Sequence, residues 1–389
     1  HYGGRCRTGA LLCTALPMGI MTRIGHGGDV YAAARELGRD LHRLLDFSAS
    51  INPLGPSPAA VRTLRTAEVL LGHYPDPACW ALRQALAAYW KRPSEEFLVG
   101  NGSTELIHLL PRTLGIRHLL LIGPTFSEYA EAMTRAGGRV TMLMADRADG
   151  YRPPLESVLA TLQKGRQSAS GAYPIDAVLL CNPNSPTGQA CEAAAVRKCA
   201  RLVARRGLWC IVDESFAEYA NHASILSEPL PPRTVVLRSS TKFYGLPGLR
   251  VGYATAKPAV IARIAAQQPP WSVNMLAQRT AVAALKDVRH AGRSLRFMER
   301  ERTRVQKALT QLPGCTVFPS AANFLLIEVP VGYKATAVVA ALRRQGLLIR
   351  DCSQVPGLND RSVRVAVRPR ADNDRLLRAL SVLLHKGGA

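Results

Sequence analysis

Apolar residues follow two patterns along this chain. Short, near-continuous runs of Val, Ile and Leu alternate with longer segments in which apolar positions return every three or four residues. The runs predict buried strands at 97–99, 118–122, 139–144, 177–181, 208–212, 234–237 and 249–254, the fifth ending at Asp213. The periodic segments predict helices at 30–37 (closed by Gly38), 79–90 (Leu82, Leu86 and Tyr89 on one face), up to Ala136, 155–163 and 192–205. Polar residues gather just past the strand ends. That is the pattern of an open α/β sheet, mostly parallel, whose ligands sit at the carboxyl edge.

After Pro269-Pro270-Trp271 the character changes. A long helical region is expected over 274–311. Short strands at 316–318, 323–329, 347–350 and 363–367 then alternate with helices at 335–345 and 372–385, a smaller α+β domain. The division expected is an extension over 1–24, an N-terminal segment over 25–69 packing with the small domain, a large cofactor domain over 70–271, and a small domain over 272–389. In the extension, Arg5 and Arg7 precede an apolar stretch that faintly resembles a secretory signal, but Pro17 and Gly19 interrupt it. Met18 or Met21 reads as the natural beginning.

Composition narrows the classes. The net charge is +22, from 50 basic and 28 acidic residues. Such a charge suits a polyanion partner. The arginines, however, are spread from Arg5 to Arg378 without a basic block, and no zinc spacing or RNA-binding aromatic signature accompanies them. Small anionic ligands are expected, with no nucleic acid, metal or membrane partner. No apolar run reaches the roughly 18 to 20 residues of a membrane span. The nine cysteines form no CxxC pair, which reads as reduced thiols in a cytoplasmic protein.

The candidate chemistry centres on 237–254, LRSSTKFYGLPGLRVGYA. Lys242 follows Ser239, Ser240 and Thr241 and precedes Arg250 between two apolar runs. A lysine can bind an aldehyde cofactor covalently, while hydroxyls and a guanidinium fork hold a phosphate on it. A surface loop would also suit the stretch taken alone. The chain has only nine lysines against 41 arginines, and the companions such a cofactor needs occur elsewhere. Asp213 at a strand end could keep a pyridine nitrogen protonated. Phe126 could stack on the ring. The GNGSTE turn over 100–105 offers free N–H groups and hydroxyls at a helix start. Strand-end acids, core phenylalanines and helix caps are the ordinary alternatives for each.

The set GNGSTE, GPTFSEY, CNPNSPTG, VDESF and STKFYGLPGLRVGY resembles the aspartate-aminotransferase-like (fold type I) enzymes that depend on pyridoxal 5'-phosphate, over about residues 25–386. The nearest branches are the histidinol-phosphate aminotransferases and the threonine-phosphate decarboxylases of cobalamin synthesis. His26-Gly27-Gly28, the DFSASINPLG segment over 46–55, Phe216 and TKFY–PGLR resemble the decarboxylase branch. The resemblance implies Lys242 as the Schiff-base lysine and Asp213 as the pyridinium partner. It implies Ser103, Thr104, Ser239, Thr241 and Arg250 around the cofactor phosphate, and Phe126 on the ring. Tyr74 would reach that phosphate from a neighbouring subunit, hence a homodimer with shared sites. Arg364, assisted by Asn323, would hold the substrate carboxylate, with Arg368, Asn52, Ser50 and His26 nearby. Ser185 stands where the family usually has asparagine, with Asn184 as a possible substitute, and Phe216 lacks a hydroxyl. Both would hold the cofactor phenolate less firmly. The reaction implied is decarboxylation of L-threonine O-3-phosphate to 1-amino-2-propanol O-phosphate and carbon dioxide. Transamination of histidinol phosphate and a non-catalytic cofactor-binding regulator are the alternatives.

Overall fold

The computed structural model describes residues 27–67, 70–166 and 174–385. Its centre is a seven-stranded sheet made of β2 (Phe97–Gly100), β3 (His118–Gly123), β4 (Arg139–Met144), β5 (Ala177–Cys181), β6 (Trp209–Asp213), β7 (Thr234–Ser239) and β8 (Gly252–Thr255), in the order β2-β8-β7-β6-β5-β3-β4. The pairings are parallel from β7 through β4, and β8 runs antiparallel to both its neighbours.

The strands are apolar throughout because both faces are covered. Side chains alternate across a strand, so Leu119 and Leu121 join the core beneath helices Gly102–Leu114, Glu128–Arg135 and Pro258–Ala265. Leu120 and Ile122 join the opposite core, against Leu155–Arg166 and Ala193–Ala204. In β6 and β7, Ile211, Val235 and Leu237 take the first side and Val212 and Val236 the second.

A smaller four-stranded antiparallel sheet holds β9 (Thr316–Val317), β10 (Phe324–Glu328), β12 (Arg350–Asp351) and β13 (Ser362–Ala366), in the order β12-β13-β10-β9. A separate parallel pair joins β1 (Leu45–Asp46) to β11 (Leu347–Leu348). The segment that precedes the large sheet thus pairs with one that follows it.

Three expectations need correction. The single helical region over 274–311 is two helices, Met275–Lys286 and Val288–Thr310. Asp287 breaks them with φ −86° and ψ 71°, and its carboxylate accepts from His290 N as the cap of the second. The strand over 347–350 is split between two partners, β1 and β13. A helix at Pro58–Arg65, capped by Ser57 with proline in its first turn, was not expected, although Ser-Pro is its start signal. Among the described residues no helix is long and apolar enough to cross a membrane.

Candidate active site

A cavity of about 1100 Å³, counted to its open mouth, lies at the carboxyl edge of the parallel strands. The sheet supplies Cys181, Asp213 and Ser239, and the loops that follow supply Thr125, Phe126, Ser185, Thr241 and Lys242. The opposite wall comes from Ser48 and Ser50 of the N-terminal segment and from Arg350, Cys352 and Arg364 of the small sheet.

Asp213 ends β6 and is buried. Its Oδ1 accepts from Ser215 N at 2.8 Å and its Oδ2 from the Tyr129 hydroxyl at 2.9 Å. Burial pushes its carboxyl above the usual range, while the Ser215 and Tyr129 hydrogen bonds and the nearby Lys242 charge pull the other way. Tyr129 and Ser215 were not anticipated. The signal was present in principle: Tyr129 follows Phe126 by three residues, in the first turn of the helix Glu128–Arg135, and the two rings meet edge to face at 5.6 Å.

Lys242 is half-buried, its Nζ 5.9 Å from the centre of the Phe216 ring. Its pKa is lowered to about 8, first by burial, then by the Arg364 and Arg250 charges, against the opposing pull of Asp213. A larger fraction of it is therefore the neutral, nucleophilic amine at working pH.

Two glycines make room for an anion cradle. Gly102 opens its helix at φ +74°, and a Cβ there would lie 2.6 Å from an Arg250 Nη. A Cβ on Gly252 would lie 2.6 Å from Ser103 N. The guanidinium is thereby pressed against the helix start, where Ser103 and Thr104 line the cavity. Ser239 Oγ and Thr241 Oγ1 stand 2.6 Å apart on the same wall. These residues fit pyridoxal phosphate: a buried carboxylate short of a cation, a lysine of lowered pKa, and a helix terminus with an arginine for the phosphate.

On the far wall, Arg364 donates to Ser185 Oγ at 2.9 Å and to Ser48 O at 2.7 Å, and its buried Nε has no partner. Burial lowers its pKa to about 10. Arg350 sits directly opposite Arg364 in the β12–β13 register and also lines the cavity. Sequence reasoning missed Arg350, because strand register is not written in local spacing. Among the described residues, the ion pairs leave Arg250, Arg350 and Arg364 without a carboxylate. Ser50 lines the cavity with a buried, unpartnered hydroxyl.

Several anticipated residues lie elsewhere. Asn184 donates to Pro124 O and Thr187 Oγ1 and accepts from Thr125 Oγ1, so its amide braces the turn and does not line the cavity. Asn52 is likewise absent from the lining, its amide bonded to Phe243 O and Ser294 Oγ. Asn323 donates to the Tyr219 hydroxyl. Arg368 is spent on Asp372 and Asp46 O. Tyr74 is exposed and stacks on Trp271 at 4.9 Å. His26 lies outside the described residues.

Comparison with known proteins agrees with this geometry. Residues 42–380 match the family "Aminotransferase class I and II". The chain is 36% identical to a threonine-phosphate decarboxylase of Salmonella typhimurium over 362 residues, 92% of this chain and 96% of that protein. It is 34% identical to a histidinol-phosphate aminotransferase of Symbiobacterium thermophilum, over 93% and 96% of the two chains. The crystal structure of the histidinol-phosphate aminotransferase from Clostridium acetobutylicum superposes with a TM-score of 0.80 at 27% identity, covering 88% of this chain and all of that one. The chain belongs to the class I and II aminotransferase family, as a fold-type-I enzyme dependent on pyridoxal phosphate.

Proposed function

We propose that this enzyme removes the carboxylate of a phosphorylated amino acid, L-threonine O-3-phosphate, releasing carbon dioxide and 1-amino-2-propanol O-phosphate. The observation that carries the reading is the arginine pair. Arg350 and Arg364 face each other across β12 and β13, both on the cavity wall and both without a carboxylate. Such a pair suits a substrate with two anionic groups, one for each guanidinium. The likeness to a threonine-phosphate decarboxylase over 92% of the chain supports the choice of reaction.

Pyridoxal phosphate, when bound, supplies an electron sink for negative charge at the substrate's α-carbon. The protein's part is to choose the bond and handle the proton. Arg364, fixed by Ser185 and Ser48, would grip the substrate carboxylate and set its orientation, and Phe126 on the cavity wall would stack on the cofactor ring. Asp213, held by Tyr129 and Ser215, would pair its negative charge with the ring nitrogen of the cofactor and keep it protonated. The Lys242 amine, with a pKa near 8, delivers a proton to the α-carbon once carbon dioxide has left.

The second reading is a histidinol-phosphate aminotransferase, favoured by the 34% identity to such an enzyme. An assay with threonine phosphate and no keto acid separates the two. Decarboxylation proceeds there; an aminotransferase turns over only when histidinol phosphate and 2-oxoglutarate are both supplied.

A further inference from the structure

Residues 46–55 touch both walls of the cavity. At one end, Phe47 N donates to Leu348 O at 2.7 Å, and Ala366 N donates to Phe47 O at 2.8 Å. Arg364 takes the Ser48 carbonyl. Four residues later the same segment meets the loop that carries Lys242. Asn52 N donates to Lys242 O at 3.0 Å. Asn52 Nδ2 donates to Phe243 O and to Ser294 Oγ, both at 2.8 Å, and Oδ1 accepts from Leu54 N at 3.0 Å. Both donors and one lone pair of this buried amide are used, by main chain and by one hydroxyl of the helix Val288–Thr310.

We propose that Asn52 is a positioning residue for Lys242, its main-chain N–H holding the Lys242 carbonyl and its side-chain amide the Phe243 carbonyl, so that the lysine amine is held inside the cavity. The rest of the loop is set to receive that clamp. Ser240 N donates to Val251 O at 3.1 Å on the strand side, and Gly245 N turns back to Lys242 O at 3.3 Å. Gly245, at φ +66°, passes so close to Gly55 that a Cβ would lie 2.7 Å from the Gly55 carbonyl carbon. His290 Nε2 lies 3.1 Å from Gly55 O and anchors the far side of the turn. A buried amide that makes three such bonds is costly to exchange for an apolar group, and that cost helps fix the loop in one place. The groups that face the amine itself are Asp213 from β6, Arg364 from β13 and Arg250 ahead of β8, with the Phe216 ring above. None of them bonds Asn52, so replacing its side chain leaves their charges and the main-chain Asn52 N–Lys242 O bond in place and loosens the loop at Phe243, next to the lysine.

This inference rests on Lys242 being the cofactor-binding lysine. The test is the rate at which apoprotein captures pyridoxal phosphate, followed by visible absorption across pH, beside the melting temperature of the apoprotein. Asn52→Leu keeps about the same volume but removes the donors to Phe243 O and Ser294 Oγ without adding a charge beside the lysine. A freed lysine escapes burial, so the pH of half-maximal capture moves upward. Capture at pH 7 slows about 3- to 10-fold, since one unit of pKa is a tenfold change in free amine. A fall in melting temperature with an unchanged capture profile overturns the proposal. If Asn52→Leu does not fold, Ser294→Ala removes one acceptor of the same amide. It shifts the profile in the same direction by about half as much, and no shift overturns the proposal equally. Lys242→Ala is the separate control: a visible lysine-bound cofactor in that variant defeats the reading of Lys242 itself, not of Asn52.

Discussion

The amine of Lys242 sits between two guanidinium groups and one carboxylate, and this sets its behaviour with pH. Its folded pKa of about 8 lies below the ordinary lysine value of 10.5. Below pH 8 the lysine is charged in both folded and unfolded chains, and the folded state bears the full cost. Above 10.5 it is neutral in both, and the cost is gone. Apoprotein carrying Lys242→Met should therefore melt a few degrees higher than wild type at pH 7. The difference should fade as the pH rises from 8 to 10.5, as calorimetry would show. For the bound cofactor, Asp213→Ala should lower kcat by about 100- to 1,000-fold, the loss typical of removing a charge aimed at the reacting system. Unchanged turnover would remove Asp213 from the account. Lys242 and Asp213 were legible in the sequence because each follows an apolar run within a motif, STKFYGLPGLR and VDESF, that carries the family resemblance. Arg350 and Tyr129 were not. One is defined by the residue across a strand pair and the other by a bond to a carboxylate 84 residues away.

Among the elements, the strand ends were readable and the joints were not. Seven apolar runs mapped onto seven strands because a sheet covered on both faces leaves no polar positions inside it. The break at Asp287 was missed because apolar periodicity continues through it; only the cap on His290 N ends one helix and starts the next. Asp287→Ala should cost about 1 kcal/mol in urea unfolding, the ordinary value of a lost cap. The anion cradle depends on Gly102. Gly102→Ala forces an unfavourable left-handed residue and pushes Arg250 aside, so pyridoxal phosphate affinity should fall at least about tenfold in equilibrium dialysis. Just beneath the cavity, Arg238 bridges Glu214 at 2.8 Å and Glu218 at 3.0 Å, all three buried, tying the ends of β6 and β7 together. Removing one partner of a buried pair leaves an uncompensated charge. Arg238→Met should cost about 3–5 kcal/mol of stability, a loss visible as a large drop in melting temperature.

For the whole molecule, the cavity exists only where two sheets and the N-terminal segment meet. Arg147, after β4, forms a two-pronged pair with the buried Glu328 of β10, with contacts of 2.6 to 3.1 Å, and Arg361 and Asn359 reach the same carboxylate. This contact ties the large sheet to the small one, which carries Arg350 and Arg364. The proposed homodimer belongs to this scale too. Tyr74, Trp80 and Trp271 stay 80%, 63% and 49% exposed on the single chain, more aromatic surface than water favours. Sedimentation should give a dimer if a second copy covers it, and a monomer would remove Tyr74 from the site. The most direct test of the central claim is one incubation of holoenzyme with L-threonine O-3-phosphate labelled in its carboxyl carbon, with no keto acid present. A decarboxylase releases labelled carbon dioxide matched one for one by 1-amino-2-propanol O-phosphate. A bound, visible cofactor with no labelled gas, and turnover restored only by histidinol phosphate with 2-oxoglutarate, would contradict decarboxylation and make the enzyme an aminotransferase.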